Sequence, residues 1–168
     1  MLQIIPLETD EHRDRFRQLL WEYLTWMYAA IERELNVSWD VNNTVNKITS
    51  DLSKFAPPKG RLLLANYDSK IVGCVGLRKI ADDVGEVKNI YVQPSHQKKG
   101  IGRALLTATI EEASQIGYSK IVLATPLFLK EVHDFYYSVG FSKIKPYPQT
   151  KIPEAQHQNW LFMEKTLQ

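Results

Sequence analysis

Cysteine is nearly absent from this chain of 168 residues: Cys74 stands alone. A single thiol makes no internal disulfide. Its place in the apolar run 71–77 reads as a small core residue in a reducing, intracellular setting. An excess of one charge is also lacking. The formal net charge is +2, too small for a nucleic-acid partner, which calls for a distinctly basic face. No uninterrupted apolar run approaches the roughly 20 residues that cross a bilayer, and residues 1–6 lack the layout of a signal peptide. The expectation is a cytoplasmic protein without a membrane partner. None of the four histidines has metal-ligand spacing with another, which predicts no metal. With no repeat and no low-complexity linker, residues 1–168 read as a single domain, long enough to bury roughly two thirds of its unfolded surface.

What is present is organised around residues 89–106. An apolar strand runs through Ile90, Tyr91 and Val92, and Pro94 stops it, because proline gives no N–H to a ladder. A short basic turn follows, then Gly100 and Gly102, then a helical pattern at Ile101, Leu105 and Leu106. Strand, glycine turn and helix together aim the unsatisfied N–H groups of a helix N-terminus, with the positive end of its dipole, at one point. Such a point binds anions, most often phosphate.

The rest of the chain supports that stretch. Residues 2–7 read as an edge strand. Thr9 caps a long amphipathic helix through Phe16, Leu19, Leu20, Tyr23, Met27 and Ile31, whose aromatic residues read as core. Residues 34–43 form a loop containing Trp39. A second helix through Val45, Ile48, Leu52 and Phe55 has Asn42 or Asn43 as its cap, and the segment 57–60 ends it. Two strands, 61–67 and 70–78, form a hairpin turning at Asp68 and Ser69, and a second turn at 81–85 leads into a strand over 86–92. The helix from Gly100 closes at Gly117. A buried strand over 120–124 then lies parallel to the strand at Ile90, with the helix as crossover. A helix ending at Gly140 and strands over 141–144 and 159–166, separated by a proline-containing loop at 146–158, complete a mixed α/β sheet with helices on both faces.

The glycines exclude two familiar phosphate sites. A dinucleotide fingerprint needs a third glycine, and Leu105 stands where it would be; a Walker A loop needs Lys-Ser or Lys-Thr after the glycines. The order strand, Pro94, then Gln97-Lys98-Lys99-Gly100-Ile101-Gly102 resembles the acetyl-CoA site of the GCN5-related N-acetyltransferase (GNAT) superfamily. The run Phe135-Tyr136-Tyr137-Ser138-Val139-Gly140-Phe141 resembles that family's second signature, at the expected separation. The resemblance implies a GNAT-type, mostly antiparallel sheet of about seven strands, with the acyl-CoA held in a wedge between the fourth and fifth. It implies an enzyme that moves an acetyl group from acetyl-CoA to an amine. The cofactor contacts would be Ile90, Tyr91, Val92, Gln97, Lys98, Lys99, Gly100, Ile101, Gly102, Arg103 and Tyr136. Backbone N–H groups from 97 to 103 would cradle the pyrophosphate, the glycines sparing it a Cβ. The pantetheine arm would add to the edge of the strand at Ile90, admitted by a bulge that splays Tyr91 and Val92 from Leu123 and Ala124.

For the chemistry, the resemblance implies the Val92 N–H as oxyanion donor, Tyr136 as general acid with Tyr137 as its alternative, and Glu86 as general base, directly or through water. His96 and His133 are further candidates for the base. The acceptor is expected to be a small-molecule amine, with a protein amine or a non-catalytic acyl-CoA sensor as alternatives. Its pocket would lie between the first two helices, the loop at Trp39 and the loop 146–158. Trp26, Tyr28, Trp39 and Tyr147 would line it, and Glu32 or Glu34 would attract the amine. Relatives of this kind dimerise through late strands, which marks 159–163 as a possible homodimer contact.

Overall fold

A computed structural model describes residues 1–168. One sheet of seven strands runs through it: β1 (Leu2–Pro6), β2 (Arg61–Tyr67), β3 (Lys70–Ala81), β4 (Val84–Val92), β5 (Lys120–Pro126), β6 (Ser142–Ile144) and β7 (Trp160–Thr166). Their order across the sheet is β1-β2-β3-β4-β5-β7-β6. All neighbours are antiparallel except β4 and β5. That single parallel pair follows from the helical crossover α3 (Ile101–Ile116) between them.

Helices α1 (Asp10–Leu35) and α2 (Val41–Ser50) cover one face of β1–β3. The Thr9 hydroxyl accepts from the His12 N–H at 3.1 Å and starts α1 as expected. Phe16, Leu19, Leu20, Leu24, Met27 and Ile31 then fall on one buried stripe. Trp21 and Trp26 do not join it; each is about half exposed (48% and 50%), so the aromatic residues of α1 are only partly core. Their positions on the helix, not their hydrophobicity, decide this. α2 begins earlier than its apolar pattern suggests: Asp40, not Asn42 or Asn43, is the cap, accepting from the Asn43 N–H at 2.8 Å. It also ends earlier, and Phe55 belongs to a separate 3-10 turn, Ser53–Phe55. On the opposite face α3 buries Ile101, Leu105, Leu106 and Ala113 against β2–β5. α4 (Lys130–Ser138) adds Tyr136 to the same core.

Two features of β4 shape the site. Its pairing with β5 is confined to Val84↔Lys120, Gly85↔Ile121 and Glu86↔Val122, after which the strands part. Opposite β3, Cys74 pairs with Tyr91 while Gly76 pairs with Lys88, so β4 carries one extra residue. Asn89 sits in that bulge at φ 56°, a left-handed conformation that asparagine tolerates better than most residues. The expected bulge and the expected splay both lie here. β7, expected as a dimer contact, is flanked by β5 along its length and by β6 over 162–164; the sheet edges are β1 and β6. No helix is long and apolar enough to cross a membrane.

Candidate functional site

The open wedge between β4 and β5 is lined by unused hydrogen-bonding groups. The Gln93 N–H donates to the Val72 carbonyl at 2.9 Å, and Val92 faces Gly73 one position earlier. Because antiparallel ladders alternate, the Val92 N–H turns away from β3, toward the gap. β5 has already diverged there, so this donor meets no strand partner. Side chains alternate about it: Val92 and Ile90 pack toward α3, while Tyr91 turns toward α1, its ring 5.6 Å from that of Tyr23. Glu22 of α1 fastens the same strand end, accepting from Tyr91 Oη at 3.4 Å and from Gln93 Nε2 at 3.1 and 3.0 Å. Burial first, then Glu22, push the Tyr91 phenol up to about 12.

Beyond Val92 the chain makes a 3-10 turn, Pro94–His96, and enters α3. The N–H groups of Lys98, Lys99, Gly100, Ile101, Gly102 and Arg103 donate to nothing within the protein. Gly100 is at φ 81° with open space where a Cβ would stand, so its backbone conformation explains the glycine. A Cβ on Gly102 would meet only Val92 Cγ2 at 3.9 Å. The structure therefore presents six consecutive free donors at a helix N-terminus, a set that fits a pyrophosphate. The side chains are less uniform. Gln97 turns back to donate to the Val92 carbonyl at 2.9 Å. Lys99 lies over the Tyr67 ring at 5.1 Å, and Arg103 bridges to α4 through Ser138 (2.9 Å) and the face of Phe135. Lys98 is exposed.

The two tyrosines of the second signature divide as helix geometry requires. Tyr136 is buried beside Phe135 and Phe141, whereas Tyr137 is 48% exposed. Burial makes the Tyr136 phenol hold its proton more tightly than usual. Burial likewise raises the pKa of Tyr23 on α1, with Tyr136 a smaller cause.

Glu86 is not the solvated strand end its sequence position suggests. It is 1% exposed. One carboxylate oxygen accepts from Arg78 Nε at 2.7 Å and the other from the Tyr147 hydroxyl at 2.5 Å. His133 is occupied at the Pro126 carbonyl (2.9 Å), and His96 lies edge-on to Tyr67.

The acceptor-side residues sort unevenly. Trp39 meets Tyr28 edge-on at 5.3 Å and lies 6.3 Å from Trp160, forming an aromatic wall. Tyr147 packs on Phe162 and holds Glu86. Trp26 stays outside, and Glu32 and Glu34 are exposed on the last turns of α1, Glu34 beside Arg33. Sequence reasoning missed Trp160 and Arg78. The second had a signal: Arg78 and Glu86 flank the 81–85 turn, and hairpin register sets them opposite each other. A cavity of about 650 Å³ runs from Ile144 and Pro146 to His157, Trp160 and Phe162.

Residues 13–141 match the acetyltransferase (GNAT) family. The chain belongs to that family. It is an N-acetyltransferase of the GNAT type, and Glu86, Val92 and the 97–103 turn all lie inside the matched span. Among its relatives, the IAA acetyltransferase of Azospirillum brasilense is 33% identical over 118 residues, covering 70% of this chain and 74% of that protein. A PaiA N-acetyltransferase of Thermoplasma acidophilum, solved in complex with coenzyme A, superposes with a TM-score of 0.76 at 20% identity, covering 99% of both chains. A GNAT family acetyltransferase of Elizabethkingia anophelis with acetyl-CoA bound gives 0.66 at 22%, covering 99% of this chain and 98% of that one. These two likenesses are of fold. No group of three or more metal-ligating side chains is assembled in the chain.

Proposed function

We propose that this GNAT enzyme transfers the acetyl group of acetyl-CoA to the primary amine of a small molecule, by direct attack within a ternary complex. The observation that carries the reading is the presence of free donors at two points of one short stretch, the Val92 N–H in the wedge and the six at the start of α3. A thioester with an amide-bearing arm and a pyrophosphate needs donors in that order. The amine nitrogen attacks the thioester carbonyl, and the Val92 N–H receives the developing oxyanion. As the C–S bond breaks, the thiolate takes a proton from Tyr136, which burial keeps protonated at neutral pH. Glu86 is the base that draws the amine proton, directly or through water. The small-molecule acceptor is favoured by the Tyr28–Trp39–Trp160 aromatic wall.

The test is thiol release from acetyl-CoA over a panel of small amines, lysine peptides and N-terminal peptides. Release with small amines alone is expected. Preference for peptides would move the acceptor to protein. Tight acetyl-CoA binding without release on any amine would leave an acyl-CoA sensor.

A further inference from the structure

On the sheet face that carries Glu86, hydrogen-bond donors outnumber acceptors. Arg78 gives its Nε to Glu86, but its Nη2 is buried and has no partner. Trp160 Nε1 is buried and equally without one. Lys88 follows Glu86 by two residues along β4, so its side chain leaves the same face. It is half-buried and makes neither a hydrogen bond nor an ion pair within the chain. Burial lowers its pKa; Arg78 and Lys151 push the same way and only Glu86 opposes them. Two cations, Arg78 and Lys88, thus share one sheet face with a single carboxylate, and that carboxylate already serves Arg78 and Tyr147. Buried donors left without acceptors are costly and uncommon in native proteins, and together they describe the ligand they lack.

We propose that the acceptor is an amino acid: its amine faces the wedge, and its carboxylate docks on Arg78 and Lys88 beside the Trp39–Trp160 wall. This rests on the acetyl-transfer reading above and assigns Arg78 and Lys88 to specificity. The exposed Glu32 and Glu34 take no part in it. Recognition by guanidinium and ammonium selects the charge of the carboxylate, so an uncharged carboxamide of the same shape is the discriminating probe. A carboxamide also resembles the N-terminus of a peptide.

The experiment compares free amino acids with their carboxamides, phenylalanine and lysine first, in wild type and Lys88→Met. Lys88→Met keeps most of the stem and removes only the charge, whereas loss of Arg78 would strand Glu86. Wild type should favour the free acid by at least about 10-fold in kcat/KM. Lys88→Met should abolish most of that preference through KM, with coenzyme A affinity unchanged. Equal use of acids and carboxamides by wild type, or an unaltered preference in Lys88→Met, overturns the proposal. If no amine turns over, the transfer reading itself fails, and calorimetry on coenzyme A-saturated protein decides this one separately. Amino acid binding that Lys88→Met abolishes supports carboxylate recognition; no difference between acid and carboxamide removes it.

Discussion

The two sides of the wedge are built in different ways. On the donor side, one continuous stretch from Ile90 to Arg103 supplies a free strand edge and six free N–H groups, almost entirely from backbone. On the proposed acceptor side, the groups are side chains brought from β3, β4, the α1–α2 connection, the 146–158 loop and β7: Arg78, Glu86, Lys88, Trp39, Tyr147 and Trp160. A backbone site depends on conformation and tolerates changes of side chain, provided the turn and the glycines are kept. A side-chain site can be retuned one residue at a time while the sheet stays the same. On the proposed reading the fold separates a fixed donor side from an adjustable acceptor side, with Val92 and Tyr136 between them.

The sharpest break should come at that boundary. Tyr136→Phe is expected to lower kcat by roughly 10²–10⁴ while leaving coenzyme A affinity within about twofold, since the ring stays and only the hydroxyl is removed. Tyr137→Phe, at an exposed position, should change neither. The pH dependence has a definite sign. A general acid works only while protonated, and burial raises the Tyr136 pKa above the ordinary phenol value of about 10. Thiol release should thus show no alkaline loss from this group until pH passes that value. A rate unchanged in Tyr136→Phe would remove the phenol from the reaction.

Within the donor side, Gly102→Glu should raise the coenzyme A dissociation constant by about 100-fold or more by setting a carboxylate among donors meant for phosphate. Gly102→Ala is the control. Its Cβ would meet only Val92 Cγ2 at 3.9 Å, so stability should barely move. Isothermal titration of coenzyme A and a melting curve for each variant separate loss of binding from loss of fold. Unchanged affinity in Gly102→Glu would place the phosphates elsewhere.

The same division explains what is legible in the sequence. Pro94, the paired glycines and the apolar pattern of α3 are local signals, so the order of elements around the donor side follows from them directly. The bulge and the splay follow only through the family resemblance that those signals carry. Asp40 escapes notice as a cap because apolar periodicity marks the buried face of α2 and not its first residue. Glu86 looks like a surface charge because its neutralising partners come from a hairpin register and from a tyrosine 61 positions away. Trp39 is legible as a loop aromatic, but its contact with Trp160 depends on how β7 meets the sheet, which no local pattern encodes. Lys88 escapes notice for the same reason: a cation is ordinary until the nearby carboxylate is found to be already taken.

The smallest effect tests whether the two sides are independent. The Tyr147 hydroxyl donates to Glu86 at 2.5 Å, and its pKa is raised by burial and then by Glu86, so the proton stays on the phenol. Tyr147→Phe keeps the ring that packs edge-on against Phe162 and removes only the donor. A buried carboxylate oxygen then lacks a partner, which should cost about 1–3 kcal/mol and lower Tm by several degrees. Arg78 remains to hold the charge, so the chain should still fold. Acceptor KM should rise, because Glu86 and Arg78 shift together. Coenzyme A affinity should not change, because no donor of the 98–103 turn touches this network. If coenzyme A binding weakens in step with acceptor KM, the two sides share a support and the donor side cannot be treated as fixed. If Tm does not move, the hydroxyl is not what neutralises Glu86, and Arg78 alone holds the buried charge.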